Sequence, residues 1–219
     1  MELSITEENY LKAVYILSNE GTKAVHTNEI ATHLVMKPAS VTDMIKKLAT
    51  KGLVKHEKYK GAFLTEEALR IALQIVRKHR LWETFLVEKL NFSWDQVHDL
   101  AEQLEHIQSK TLVQRLDQFL GHPKFDPHGD PIPDEFGNFH SNQQVLLANL
   151  EPQKSGRVIG VNDSSSAFLQ YLNKLQISLG TTLTVVDKIE FDRSVEISIE
   201  DREASIIVSQ EVASNIYLR

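Results

Sequence analysis

The sequence predicts an α+β multidomain protein in which a winged helix-turn-helix is followed by a helical region and then by a small antiparallel β-barrel or sandwich. Apolar residues recur at helical spacing through most of the first 120 residues, and a Gly- and Pro-rich segment follows at 121–138. Short β-rich runs separated by polar turns begin at about Gln144. The predicted boundaries are 1–72 for the winged domain, 73–140 for the helical domain, 141–150 for a linker and 151–219 for the β domain.

Composition is that of a globular chain. Its 219 residues are 42% hydrophobic and 25% charged, so the chain is long enough to bury a sizeable core. The N-terminus MELSITEENY is acidic, and no stretch approaches ~18 consecutive apolar residues, so we expect neither a signal peptide nor a membrane span, and a cytoplasmic protein. The absence of cysteine excludes disulfides, thiolate zinc sites and cysteine catalysis. Any metal must therefore be held by imidazole and oxygen ligands.

The first 65 residues carry the signals of three helices and a hairpin. Ser4 followed by Glu7 is a capping box, and Pro38 stands where the first turn of a helix tolerates proline. The runs LVKHEK and AFLT flank a tight turn at 59–61 and read as two strands. The predicted elements are helices at 4–18, 27–34 and from 38 to an end between 48 and 52, and strands at 53–58 and 62–65.

A basic segment coincides with the third helix and the hairpin. The chain has a net charge of −6, yet residues 37–60 contain seven lysines against two acids, a local charge of +5. A solvated lysine-rich face would have the same composition, but a helix-turn-helix brings such lysines close to DNA. We therefore predict base contacts near the start of the third helix and phosphate contacts from the lysines around it. The base-contacting candidates are Ala39, Ser40, Thr42 and Asp43, and the phosphate-contacting candidates are Lys37, Lys46, Lys47, Lys58 and Lys60.

Two long helices are predicted next. Thr65 caps an amphipathic stretch at 66–90, and after a short break a second helix is predicted from Ser93 to Leu120. Two long helices after a DNA-binding module commonly build a dimer interface, although they could equally form core within one chain. Beyond residue 144, strands are predicted in GRVIGV, TLTVVDKIE, SVEISIE and ASIIVS, with one helix at 164–175.

The stretch HDLAEQLEH, residues 98–106, concentrates potential metal ligands on the second long helix. At about 100° per residue, its two histidines and two glutamates fall within an arc of roughly 100°. Such a face is more often simply solvated. However, six acids and one base lie between Glu83 and His106, so neighbouring lysines or arginines do not neutralise the carboxylates, whereas a bound cation would. His79 and Glu83, four residues apart on the preceding helix, could form half of a second site.

Four motifs carry a resemblance to a known family. YLKAVYIL, RKHRLWETFL, VHDLAEQLEH and DPHGDPIPD resemble the diphtheria toxin repressor family of metal-dependent transcriptional regulators, along nearly all of residues 3–140. Residues 150–219 resemble the SH3-like, or FeoA-like, C-terminal domain of that family, which makes a small barrel the implied fold. The resemblance implies a homodimer that, when loaded with Fe(II) or Mn(II), binds palindromic double-stranded operator DNA and represses metal uptake. It implies no enzyme activity and no association with a membrane.

The resemblance also implies two metal sites. The primary, activating site matches Glu102, Glu105 and His106, and the ancillary site matches His79, Glu83 and His98. The iron-responsive branch has cysteine where this chain has Glu102, and the manganese-responsive branch has glutamate. The implied metal is therefore Mn(II), with Fe(II) as the alternative.

The chain departs from the family pattern on its first helix. Asn9 stands where the family has a methionine or aspartate ligand, and Lys12 stands where one manganese-responsive subgroup has a second glutamate. Asn9 could coordinate through its amide oxygen, Glu8 could substitute for it, or both could be plain surface residues. In the SH3-like domain, Asp163 is the nearest candidate for a ligand donated to the ancillary site.

The remaining histidines are assigned no metal, and two other functions stay open. The unassigned histidines, one of which lies in the DPHGDPIPD loop, are His26, His33, His56, His122, His128 and His140. A metallohydrolase could use paired carboxylates and histidines, but it would leave the helix-turn-helix unexplained. A winged-helix regulator that needs no metal is the other alternative.

Overall fold

The computed structural model describes residues 3–57, 61–139, 144–200, 202 and 204–219. The chain forms two compact units. The first comprises the residues up to His79 together with Gln103–Ser109 and Pro133–Asn138, and the second comprises Arg80–Glu102, Lys110–Ile132 and Phe139–Arg219.

The first unit contains the predicted winged helix-turn-helix. Ser4 caps the first helix, and the reciprocal bonds of the capping box with Glu7 are both present. Gly61 holds the second strand of the hairpin against Val25, because any Cβ at Gly61 would lie 2.6 Å from the Val25 carbonyl oxygen. Apolar residues from all three helices fill the core, including Leu11, Ile30 and Ile45. The elements are α1 (Ile5–Leu17), α2 (Thr27–His33), α3 (Pro38–Thr50), β1 (Val54–Glu57) and β2 (Gly61–Leu64), and the two strands pair antiparallel.

A long helix, α4 (Glu66–Leu90), follows the hairpin as predicted. Thr65 Oγ accepts a hydrogen bond from the Ala68 N–H at 3.4 Å, which caps its first turn. The boundary between the two units falls inside this helix, after His79.

The predicted helix from Ser93 to Leu120 is wrong, because the structure has two shorter helices with a break between them. They are α5 (His98–Leu104) and α6 (Lys110–Phe119). After Leu104 the chain makes a turn, in which the Ile107 N–H donates to the Leu104 carbonyl oxygen at 3.2 Å. The side chain of Glu105 is fully buried and ion-paired there. Satisfying a buried carboxylate outweighs the small gain from continuing a helix across five residues.

The second unit contains a six-stranded antiparallel sheet in the order β3-β8-β4-β5-β6-β7. Within the described residues β3 and β7 end the sheet, so it is an SH3-like sheet that does not close by strand pairing. Its core is apolar and includes Trp94 from the segment before α5. The four predicted runs form β4 to β7, whereas the short β3, β8 and α8 were not predicted. The elements are β3 (Val145–Leu146), β4 (Ser155–Val161), α7 (Ser166–Leu175), β5 (Thr182–Lys188), β6 (Val195–Ile199), β7 (Ile206–Val208), α8 (Gln210–Ala213) and β8 (Ile216–Leu218).

Among the described residues, none of the helices combines the length and the apolar character needed to cross a membrane.

Candidate metal centres and nucleic-acid interface

A buried lysine, glutamate and histidine meet in the first unit. Lys12 on α1 places Nζ 2.6 Å from Oε2 of Glu105 and 3.1 Å from Nδ1 of His79. The same His79 nitrogen lies 2.6 Å from Glu105 Oε2. All three residues are buried, and the Glu105 side chain is 0% exposed. The Lys12 ammonium therefore neutralises a carboxylate that has no access to water.

A second carboxylate, that of Glu8 on α1, orients His106. Oε2 of Glu8 lies 2.6 Å from His106 Nδ1, and Gln108 donates to the other Glu8 oxygen at 2.6 Å. The second ring nitrogen of His106, Nε2, lies 3.8 Å from Glu105 Oε1. A carboxylate that takes one ring N–H leaves the other nitrogen with a lone pair, as is usual for histidines that bind metals. Glu8 therefore acts on the imidazole rather than on Glu105.

Three buried oxygens of this unit find no hydrogen-bond partner among the described residues: Oε1 of Glu7, Oδ1 of Asn9 and Oε1 of Glu105. Glu7 Oε1 is ion-paired with Lys51 and Lys47, so Asn9 Oδ1 and Glu105 Oε1 are the two that concern a metal site. Buried polar atoms in folded proteins nearly always have a partner, so such oxygens call for a ligand. Glu105 Oε1 and His106 Nε2 lie 3.8 Å apart, and Asn9 on α1 adds a further buried oxygen in the same unit. Oxygen donors with one imidazole nitrogen suit Mn(II) or Fe(II). The residues of the first unit therefore fit a divalent cation.

The second unit holds a different cluster, formed by Glu83, Asp126 and His128. One ligand atom of each lies within 4.8 Å of the others, and all three residues are buried. His128 Nε2 donates to the Trp94 carbonyl oxygen at 2.8 Å, and His128 Nδ1 lies 3.5 Å from Oε2 of Glu83. Oδ2 of Asp126 has no hydrogen-bond partner within the described residues and lies 3.6 Å from Nε of Arg80. This cluster also fits a cation with oxygen and nitrogen ligands.

The crowding of these groups shifts their pKa values. Burial, with the charges of Asp130 and Glu83, raises the pKa of Asp126 to about 7 against the opposing charges of Arg80 and His128. Burial alone would lower the pKa of His128, but the hydrogen bond and charge of Glu83, with help from Asp126, raise it to about 9. At neutral pH the cluster thus retains protons that an ordinary carboxyl group and most ordinary imidazoles have already lost, and a divalent cation would replace those protons.

Two glycines bring the loop with Asp126 and His128 against β4. Gly129 has a φ of +87°, and a Cβ on it would lie 2.2 Å from the Cα of Gly160. The Val161 N–H donates to the His128 carbonyl oxygen at 2.7 Å, and Asp126 Oδ1 accepts from the His128 N–H at 2.8 Å. These two hydrogen bonds, which involve the backbone N–H and carbonyl of His128, hold its imidazole in the cluster.

His98 and Glu102 extend the cluster of the second unit towards solvent. The His98 side chain is 53% exposed, with Nδ1 3.5 Å from Glu83 Oε1 and Nε2 3.7 Å from Glu102 Oε1. Glu83 therefore contacts His98 through its Oε1 and His128 through its Oε2.

The exposed face of α3 carries the residues predicted to contact DNA. Val41, Ile45 and Leu48 are buried, which turns the remaining positions of the helix outward. Thr42 is half-buried, and its hydroxyl donates to the Pro38 carbonyl oxygen at 2.9 Å. The exposed predicted residues are Lys37, Ala39, Ser40, Asp43, Lys46 and Lys47. Lys58 and Lys60 lie outside the described residues.

Glu7 ties α1 to the end of α3. Its Oε1 lies 2.6 Å from Lys51 Nζ and 3.2 Å from Lys47 Nζ, and its side chain is 2% exposed. The hydrogen bond from Lys51, with that from the Ser4 backbone and the charge of Lys47, lowers the pKa of Glu7 to about 2. Glu7, the residue before Glu8 on α1, is thus ion-paired with Lys47, one of the lysines predicted to contact phosphates.

Three family models together match most of the chain. The N-terminal DNA binding domain of the iron dependent repressors matches residues 2–62, and their metal binding and dimerisation domain matches 65–134. The FeoA domain model matches 145–219. A manganese-dependent transcriptional repressor solved in complex with manganese is 34% identical, with a TM-score of 0.82 and 97% of this chain and 98% of that chain covered. The chain belongs to the diphtheria toxin repressor family of metal-dependent transcriptional regulators.

Two curated members of the diphtheria toxin repressor family show how far the similarity extends. The diphtheria toxin repressor of Corynebacterium diphtheriae is 27% identical over 217 residues, which is 94% of each chain. The iron-dependent repressor IdeR of Mycobacterium tuberculosis (strain ATCC 25618 / H37Rv) is 33% identical over 132 residues, 60% of this chain. That alignment spans 57% of the length of IdeR. The family consists of transcriptional repressors, so the metalloenzyme alternative does not apply.

The structure distributes the predicted metal ligands of this family member between two clusters. Glu105 and His106 lie together, and Glu8 of α1 contacts His106. Glu102, the third residue assigned to the primary site, contacts His98. Glu83 and His98 lie in the second cluster, and His79 lies beside Glu105. The single helical face proposed for residues 98–106 is wrong, because Glu105 and His106 lie beyond the end of α5.

The structure places three residues in clusters to which the sequence did not assign them. Lys12 is inside the first cluster rather than on the surface, and Asp126 and His128 belong to the second. The spacing Asp-x-His in a Gly- and Pro-rich loop was the available signal for this second pair, but nothing local pointed to Glu83 as its partner. Asp163 instead accepts from the Ser165 N–H at 2.8 Å at the start of α7, and the clusters found among the described residues do not include it.

Proposed function

We propose that this chain is a cytoplasmic, Mn(II)-activated repressor that binds a palindromic operator as a homodimer and controls genes of metal uptake. Fe(II) is the alternative activator. The observation that carries this proposal is the orphaned buried oxygen Oε1 of Glu105, 3.8 Å from the oriented imidazole of His106, with a further orphaned buried oxygen on Asn9 in the same unit.

In the proposed primary site, Glu105, His106 and Asn9 hold the ion, and the family resemblance adds Glu102. A bound divalent ion would supply a shared electrophilic centre for ligands on α1 and on the segment after α5. Glu8 keeps His106 in the ligating tautomer through its contact with Nδ1. The donors of this set are oxygens and one imidazole, without sulfur, which favours Mn(II) over softer ions. The manganese-bound structural relative supports the same choice.

In the proposed ancillary site, Glu83, Asp126 and His128 hold the second ion, with His98 at its exposed side. The sequence assigned His79 to this site. The contact of His79 with Glu105 makes it a neighbour of the primary site as well.

α1 connects the primary site to the DNA-reading helix. Glu8 contacts His106 of the site, and Glu7, the residue before it, holds Lys47 and Lys51 at the end of α3. Fixing α1 therefore fixes the orientation of α3, and two such helices in a dimer must match the spacing of two half-sites. The exposed residues of α3 would read base edges while lysines contact phosphates.

Exposed apolar residues around α4 and α6 support the homodimer. Four large apolar residues, two at or just after the end of α4 and two on α6, are 37–65% exposed. A second copy of the chain, packed by its dimerisation domain, would cover such residues in a two-fold dimer. The residues are Leu90, Phe92, Leu112 and Phe119.

Selection of binding sites from a pool of random DNA duplexes tests this function. With Mn(II), we expect the full chain to enrich a palindrome, and fluorescence anisotropy to show binding that chelators reverse. Glu105→Gln should abolish the Mn(II)-dependent gain, since the neutral amide offers weaker ligation at a buried position. Glu67→Gln, at an exposed position of α4, is the matched control and should behave as the wild type. Enrichment of the same palindrome with and without Mn(II) would instead identify a regulator that needs no metal.

A further inference from the structure

The Lys12 ammonium occupies a position whose neighbouring donor atoms would suit a metal cation. Its ammonium is 2.6 Å from Glu105 Oε2 and 3.1 Å from His79 Nδ1, and the residue is 7% exposed. A carboxylate oxygen and an imidazole nitrogen that converge in a buried site are the donors that a divalent ion uses. In this chain the protein itself supplies the positive charge at that point.

Glu105 has two oxygens with different surroundings. Oε2 contacts Lys12 and His79, whereas Oε1 has no hydrogen-bond partner among the described residues and lies 3.8 Å from His106 Nε2. The Lys12 ammonium thus neutralises Oε2, and Oε1 remains available to an ion. A second divalent ion at Oε2 would have to displace a buried ammonium or lie against it, and like charges a few ångströms apart in a buried site repel strongly.

We propose that Lys12 acts as an internal cation that restricts the Glu105 site of the first unit to a single divalent ion and weakens the affinity for that ion. This inference rests on the proposed metal-binding function and adds to it a residue that determines stoichiometry and affinity. Lys12 has a second effect in the absence of metal, because it neutralises Glu105 and so stabilises the metal-free fold.

Calorimetric titration of Mn(II) into the metal-free full chain tests the proposal through stoichiometry and affinity. Lys12→Gln removes the charge and should tighten Mn(II) binding at the first unit by roughly tenfold or more. Lys12→Glu adds a carboxylate in place of the ammonium and should raise the number of Mn(II) ions bound per chain by one. Lys12→Arg keeps the charge and should keep the wild-type stoichiometry.

Lys51→Gln is the matched control. Lys51 also pairs with a buried glutamate at 2.6 Å, in the same unit, but that glutamate is Glu7. The control changes the charge of the chain equally and should leave Mn(II) affinity unchanged. Equal tightening in both variants would show that the effect is general electrostatics and would overturn the proposal.

Thermal unfolding with and without Mn(II) provides a readout for a variant that is poorly folded without metal. We expect Lys12→Gln to melt lower than the wild type when metal-free and to gain more from saturating Mn(II). Unchanged affinity in Lys12→Gln together with unchanged stoichiometry in Lys12→Glu would refute the role of Lys12. A wild-type chain that binds no Mn(II) would instead refute the proposed function.

Discussion

Replacement of Glu7 by glutamine should reveal how strongly α1 is fastened to α3. The side chain is 2% exposed, its Oε1 lies 2.6 Å from Lys51 Nζ, and its pKa is lowered from 4.5 to about 2. A difference of that size corresponds to about 3 kcal/mol of folding free energy when the carboxylate is ionised. The two lysines are 29% and 56% exposed, so water screens part of the interaction. We therefore expect a loss of about 1–2 kcal/mol at pH 7.

The sign of the pH dependence follows from the direction of the shift. Because the folded-state pKa lies below the unfolded-state value, the stabilisation is complete above about pH 5 and is lost as the pH falls towards 2. The difference between wild type and Glu7→Gln should accordingly shrink with acidification, while other carboxylates affect both proteins equally.

Urea unfolding of the metal-free proteins at pH 7, 5 and 3.5 measures this difference. Glu67→Gln, an exposed glutamate of the same unit, serves as the control and should change the free energy of unfolding by less than about 0.5 kcal/mol. A stability loss in Glu7→Gln that is the same at every pH would show that the amide disturbs packing or the Ser4 capping box instead. No loss at pH 7 would refute the ion pair as a fastening of α3.

Three further predictions address the interface, the metal and the ligand-bearing loop. Lys47→Ala should weaken binding to all DNA and reduce the slope of log affinity against log salt by about one, as filter binding would measure, and an unchanged slope would remove Lys47 from the phosphate contacts. Glu102→Cys should shift activation from Mn(II) towards Fe(II) in anaerobic operator binding against free metal, and an unaltered ratio of the two metals would show that position 102 does not set the preference. Gly129→Ala should lower the free energy of unfolding by about 2 kcal/mol or more, because its Cβ would lie 2.2 Å from the Cα of Gly160 and its φ is +87°. A melting temperature equal to that of the wild type would show that the loop can move away from β4 at little cost.

Local signals in the sequence were sufficient for most of the secondary structure. The capping box at Ser4, the first-turn proline at Pro38 and the cap at Thr65 each predicted a helix that the structure contains. The alternating apolar runs after Gln144 likewise predicted β4 to β7. Caps, turns and periodicity act over a few residues, so one sequence suffices to recognise them.

The sequence by itself also determined the chemical type of the site. A chain without cysteine that carries Glu105 and His106 beside other acids can hold a metal only through oxygen and nitrogen. The family resemblance then assigned these two residues to one site, and the structure brings them together with Glu8.

Tertiary structure decided which buried charges meet. Glu105 leaves the helical path to reach Lys12, 93 residues away in the chain, and His128 is held close to Glu83 by a loop that only glycine allows against β4. Neither pairing has a local signature in the sequence. The same amphipathic pattern accommodates a carboxylate that faces water and one that contacts an ammonium from a distant part of the chain. The free energy that fixes these positions arises only when the charges are removed from water, and that happens when the chain packs.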